Sequence, residues 1–185
     1  MNTRKLLKNR LALSTVVTTL IILVVSVLLA GVVTYYAINV TSTRVSEESL
    51  QLEFLHVWYN PTGSTTQAAF AIINTGGRDV VLQKITIRGQ PADWTKVYYG
   101  VVGAGQTVSD LSYQSTVSGA SVDGATLAPA TASTTLPSGD TMVVYISSPD
   151  SISINDIGLT VSITVFTSQA MYYEEANVQT TQSAA

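Results

Sequence analysis

An α+β chain, one long apolar helix followed by an antiparallel β-sandwich, is what three features of the sequence predict. No charged residue occurs from Leu11 to Thr43. Near Leu50 the apolar pattern changes from an unbroken run to two-residue alternation, the repeat of a strand. Beyond that point about seven or eight short apolar segments are separated by Gly, Pro, Asn, Asp and Ser, as in strands joined by turns.

Composition narrows the function classes. The 185 residues are 46% hydrophobic and only 11% charged, with a mean hydropathy of +0.31. That is too apolar for an ordinary soluble domain and excludes a disordered chain. A net charge of -3 offers no basic surface for nucleic acid, and none is predicted as a partner. With no Cys, disulfides, thiolate metal sites and Cys nucleophiles are excluded together. One His cannot build a multi-His metal site and leaves little for general-base catalysis, so no enzyme, cofactor or metal centre is expected.

The helix comes first. Residues 1–10, MNTRKLLKNR, hold Arg4, Lys5, Lys8 and Arg10 and no acid, and LALSTVVTTLIILVVSVLLAGVVTYYAI follows. About 20 residues at 1.5 Å each cross a hydrocarbon core of roughly 30 Å, and this run is longer. From Leu50 onward Arg78, Lys84, Arg88 and Lys96 stand against ten acidic residues. The positive-inside rule therefore places the N-terminus in the cytoplasm and the rest outside. Ser14, Thr15, Thr18 and Thr19 share one helical stripe, and Ser26, Ala30 and Thr34 form a second set of small residues four apart. Small stripes let helices approach closely. The same hydroxyls can also bond back to the carbonyl one turn earlier, which a lone helix in lipid would use.

Three readings fit this segment. A secretory signal peptide has a shorter apolar region and a small-x-small cleavage site, whereas here the run continues through Ala30-Gly31 into Val32 and Val33. A permanent signal anchor fits the length and charge. The third rests on Arg10-Leu11-Ala12-Leu13-Ser14-Thr15-Val16-Val17, which resembles the class III signal peptides of archaeal type IV pilins and archaellins over about the first 45 residues. The resemblance implies a leader at residues 1–12, cut between Ala12 and Leu13 or alternatively between Arg10 and Leu11, and a membrane or filament-core helix at 13–48. The two-residue alternation that begins near Leu50 places an extracellular β-sandwich domain at 49–185. By the resemblance, the chain's partners would be a prepilin-peptidase-like enzyme, a membrane assembly platform and other copies of itself in a helical homopolymer. The precursor would sit in the cytoplasmic membrane and the product in an extracellular filament. Leu11 departs from the basic residue usual before the small residue at the scissile bond. The Glu that bacterial pilins carry near the start of the mature helix is absent, as in the archaeal branch.

In the β-rich part, Leu50, Leu52, Phe54, His56 and Trp58 alternate with Gln51, Glu53, Leu55, Val57 and Tyr59, and Asn60-Pro61-Thr62-Gly63 ends the strand. Gln67–Asn74 and Val80–Arg88 flank Asn74-Thr75-Gly76-Gly77 and read as a hairpin. Further strands are expected at Lys96–Val102, Ser109–Tyr113, Thr141–Ser147, Gly158–Thr167 and Tyr172–Gln179. Thr116–Thr135, rich in Ser, Thr, Ala and Gly, reads as a long exposed loop without core residues. The order NTG, a strand pair, then Leu136-Pro137-Ser138-Gly139-Asp140 before a strand resembles the immunoglobulin-like domains of archaeal surface proteins. That resemblance implies an immunoglobulin-like β-sandwich.

The remaining chemistry is sparse. His56, beside Phe54 and Trp58, is expected to be a packed or interface histidine. Gly100-Val-Val-Gly103-Ala-Gly105 precedes no helix and reads as a turn, not a phosphate loop. Asp150 and Asp156 flank a polar loop, with turn formation the simpler reading and a cation the alternative. Glu174 and Glu175 are adjacent on a strand and point to opposite sides. Asn39-Val40-Thr41 is the only N-x-S/T sequon and makes Asn39 a glycosylation candidate.

Overall fold

The structure, a computed structural model, describes residues 3–45, 47–103 and 105–181, with helix side chains described over 13–42. It divides into two units, Met1–Val45 and Ser46–Ala185.

The first unit is a single helix, α1 (Thr3–Val45). β-branched residues are poor helix formers in water. Without water, however, only internal hydrogen bonding satisfies the backbone, and the helix is the form that supplies it. Its backbone continues without a break past residues 12 and 13, where the resemblance would place a cut, and is helical to Val45.

The second unit is β-rich. One half contains β1 (Leu50–Asn60), β2 (Thr65–Asn74), β5 (Val97–Val102), β8 (Ala128–Pro129) and β10 (Thr141–Ser147), in the order β8-β5-β10-β2-β1. The other half contains β3 (Val80–Ile87), β4 (Gln90–Pro91), β9 (Thr134–Leu136), β11 (Thr160–Thr167) and β12 (Met171–Thr180). Here β4 and β9 both pair β3, and the order continues β3-β11-β12. The halves join where β1 and β12 pair in parallel over Val57–Tyr59 and Val178–Thr180. The result is one mixed ten-stranded sheet, a half-barrel, rather than two separate antiparallel sheets. The single parallel pair is affordable because the whole domain serves as its crossover. The inner faces share one core, with Val57, Phe70, Ile72, Val144 and Ile146 from one half and Leu82, Ile85, Ile87, Ile163 and Val165 from the other.

Several expectations need correction. The strands flanking Asn74-Thr75-Gly76-Gly77 exist but do not pair with each other: β2 pairs β1 and β10, while β3 pairs β11. Asn74, almost fully buried, turns the chain from one half to the other. Its side-chain amide donates to the carbonyls of Arg78, Leu136 and Pro137 at 2.8, 3.2 and 3.1 Å. The true neighbouring hairpin is β1–β2, closed at Asn60 and Thr65. β1 also breaks its alternation. A bulge between Glu53 and His56, with Phe54 at φ 52°, switches the faces. Leu50, Leu52, Leu55, Val57 and Tyr59 meet the main core, while Phe54 and Trp58 face away from it.

The largest correction concerns residues 103–136. Ser109–Tyr113 forms no ladder, and the segment expected to be an exposed loop builds a second core. Leu111, Val117, Val122, Ala125 and Leu127 cover the outer face of β1, β2 and β10, meeting Trp58, Ala69, Val143 and Tyr145. Two short strands, β6 (Ser121–Val122) and β7 (Ala125–Thr126), close through Asp123-Gly124 with φ 47° and 82°, the backbone a tight Asp-Gly hairpin requires. Gly100 lies in β5, not in a turn. A Cβ there would come within 2.9 Å of Ala125 Cβ, so glycine is what lets this cover sit on the sheet.

Candidate functional site

Among the described residues, Leu13–Ser42 is the one helical stretch long and apolar enough to cross a membrane: 30 residues, none of them buried. At 1.5 Å per residue it measures about 45 Å, half as long again as a bilayer's hydrocarbon core. Leu20, Ile21, Ile22, Leu23, Val24 and Val25 are consecutive and all exposed, so apolar side chains point in every direction. A helix apolar all round near the N-terminus is compatible with a membrane anchor or a signal sequence.

The hydroxyls are spent within the helix. Thr18 Oγ1 donates to Ser14 O at 2.9 Å, Ser26 Oγ to Ile22 O at 2.7 Å and Thr34 Oγ1 to Ala30 O at 2.8 Å. Thr19 Oγ1 reaches Val16 O at 2.9 Å. Each bond hides a donor that hydrocarbon could not satisfy. Ser14, Thr18, Ser26, Ala30 and Thr34 lie on one row of four-residue steps, interrupted at Ile22. That row drifts about 40° per step around the helix. Ser14 and Thr34 therefore point in roughly opposite directions, and because Thr19 falls between Ser26 and Ala30 in direction, the two small sets seen in sequence overlap in one stripe that winds partway around the helix. Thr15 lies beside this row. Asn39 sits within α1, exposed, six residues before its end. The cleavage candidates Arg10, Leu11 and Ala12 lie on the α1 backbone, with side chains outside the described residues; Leu13 is exposed.

The polar candidates of the β-domain are each engaged by other side chains of the domain. His56 Nε2 lies 2.7 Å from Asp110 Oδ1, and its ring stacks on Trp58 at 5.1 Å and 15°. This ties the cover to β1, beside further bonds from Tyr145 Oη to Ser112 O and between Gln67 and Gln114. Burial, the larger influence, pushes the Tyr145 hydroxyl up from its ordinary value. Asp150 pairs with Lys96 Nζ at 2.9 Å. Asp156 accepts from the Ser153 hydroxyl and N–H at 2.7 and 2.8 Å and from Arg88 at 2.6 Å. The Ser153 hydroxyl, its N–H and the Arg88 guanidinium, in that order, hold the Asp156 carboxyl below the usual range. With a cation beside each, these aspartates are turn and pairing groups. Among the described residues no cluster of three or more His, Asp or Glu could hold a metal. Glu175 accepts from the Tyr173 hydroxyl, which that hydrogen bond holds above its ordinary value.

Sequence reasoning missed the cover, although Asp123-Gly124 between Ser121-Val122 and Ala125-Thr126 is a hairpin signal in plain view. Fold and site together define a chain with one uncovered apolar helix followed by a β-rich domain. Comparison with protein-family models and with curated proteins finds no match.

Proposed function

We propose that this chain is a structural subunit of an archaeal type IV pilus-like extracellular filament. The observation that carries the reading is Leu13–Ser42, bare on every side and following a leader with four cations and no acid. Exposing its Leu, Ile and Val side chains to water would cost on the order of tens of kcal/mol. It must therefore pass from bilayer straight into a bundle of its own kind. Before assembly it spans the cytoplasmic membrane with its N-terminus inside. Tyr35 and Tyr36, both exposed, fall 22 and 23 positions after Leu13, about 33 to 35 Å along the axis, where amphipathic rings suit the outer interface. A stripe of small residues that winds partway around the helix suits contact with more than one neighbour, and a repeated head-to-tail contact that does not close gives a filament.

The β-domain is displayed outside, and we group it with immunoglobulin-like sandwiches because its two halves share one core across their inner faces. The subunit is non-catalytic and takes no cofactor. Its partners are other copies, a prepilin-peptidase-like enzyme and a membrane assembly platform. A second reading, a single-pass surface protein with a binding ectodomain, draws on the hydroxyl bonds of Thr18, Ser26 and Thr34, which leave the helix content in lipid without neighbours. Electron microscopy of filaments sheared from the cells, with this chain identified in them, supports the first reading. Cell surfaces carrying the chain but shedding no filament containing it support the second.

A further inference from the structure

The chain that leads into β1 is gripped by the domain. Ser49 O accepts from the N–H groups of Thr75 and Gly76, each at 3.0 Å, and Glu47 O accepts from Gly77 N–H at 3.3 Å. The Thr75 hydroxyl donates to Ser49 Oγ at 2.9 Å. Glu48, between them, accepts from the hydroxyl of Thr167 at the end of β11, in the other half of the sheet. Three consecutive residues are thus tied to both halves.

Gly76 makes the approach possible. A Cβ at that position would lie 2.6 Å from Glu47 O and 2.7 Å from Ser49 N, both backbone atoms that cannot rotate aside. The gripping loop is itself braced. Asn74 Oδ1 accepts from Gly76 N–H at 3.0 Å, the Ser138 hydroxyl donates to Gly76 O at 2.7 Å, and Ser138 N–H donates to Asp79 at 3.0 Å. The two turn motifs Asn74-Thr75-Gly76-Gly77 and Leu136-Pro137-Ser138-Gly139-Asp140 therefore meet as one unit around residues 47–49.

We propose that loops 74–79 and 136–140 form a grip on the linker at Glu47–Ser49, which delivers any pull arriving along the chain to both halves of the sheet and closes the linker to proteases. This does not rest on the filament reading, since an anchored protein has the same linker. The test is digestion of the full chain in detergent micelles with an endopeptidase that cuts after Glu, following by intact mass the release of fragments starting at Glu48 or Ser49. The wild-type chain resists at these bonds. Gly76→Val should be cut there at least about tenfold faster, because cleavage follows the open population, while the near-ultraviolet signal of Trp58 and Trp94 stays unchanged. Thr75→Val combined with Ser138→Ala removes bonds without adding bulk, and decides the matter if Gly76→Val does not fold. A folded variant cut no faster than wild type overturns the proposal. So does a wild-type chain cut as fast as a synthetic peptide of residues 43–52. Collapse of the fold in both variants would assign these loops to core stability and overturn it too.

Discussion

Leu127→Ala probes the second core where it is most exposed to doubt from composition. Leu127 is 1% exposed, and its backbone is fixed by bonds from Leu127 N–H to Ala120 O at 2.8 Å and from Gly119 N–H to Leu127 O at 2.9 Å. The fixed backbone cannot shift to fill the space, so truncation leaves a void in the cluster that also holds Leu111, Val122 and Tyr145. Three carbon groups lost at roughly 0.8 kcal/mol each give about 2.4 kcal/mol. The unfilled volume adds about 24 cal/mol per Å³, which brings the expected loss to about 3 kcal/mol. For a domain of this size that is on the order of 10 °C in Tm. The assay is urea and thermal unfolding of a soluble fragment, Ser46–Ala185, which should itself show a β-rich circular dichroism spectrum. Ser133→Ala, on an exposed position of the same segment, is the control and should change stability by less than about 0.5 kcal/mol. If Leu127→Ala behaves like the control, residues 116–135 are the exposed loop that their composition suggests, and the second core is wrong. A helical or unfolded spectrum from the fragment would refute the division into two independent units.

Two further outcomes are expected. Replacing Thr18 or Ala30 by Phe should leave membrane insertion intact but reduce filament yield, since only a packed helix needs a close neighbour; normal yield from both removes the packing role. Asp156, held below the ordinary carboxylate value in the folded state, adds stability that is present at neutral pH and is lost as pH falls through about 4 and lower. Asp156→Asn should lower Tm at neutral pH and flatten the decline of Tm between about pH 4 and 2. An unchanged acid limb would show that another group controls it.

The helix was legible because its signal is long and uniform: from Leu11 to Thr43 no charge competes with the apolar pattern. Most strands were legible as short apolar segments bounded by turn residues, and Thr141–Ser147 was placed to the residue. Pairing was not, because Asn74-Thr75-Gly76-Gly77 carries turn chemistry that serves a crossover between halves as well as a hairpin. The bulge at Phe54 escaped because one inserted residue leaves no mark on composition, yet it reverses which side chains reach the core. The second core escaped for a different reason. Val117, Val122, Ala125 and Leu127 are few and scattered among Ser, Thr and Gly, and their burial depends on the outer sheet face with Gly100 making room. The grip around Glu47–Ser49 was visible only as two turn motifs about 60 residues apart in sequence, which backbone hydrogen bonds bring together.

Leader removal separates a filament subunit from a permanent anchor on physical grounds. On the proposed reading, Arg4, Lys5, Lys8 and Arg10 hold the N-terminus at the cytoplasmic face while they remain, and drawing them unpaired into a dry bundle would cost about several kcal/mol each. One α-amino group near Ser14 or Thr15 is far easier to place. Mass spectrometry of the N-terminal peptide of the mature protein is the direct measurement. A chain beginning at Leu13, or at Leu11 by the alternative cut, keeps the whole of Leu13–Ser42 and loses all four cations, as the filament reading predicts. A chain still beginning at Met1 would be a plain anchor and one beginning near Gly31 an ordinary secreted domain, and either result contradicts it.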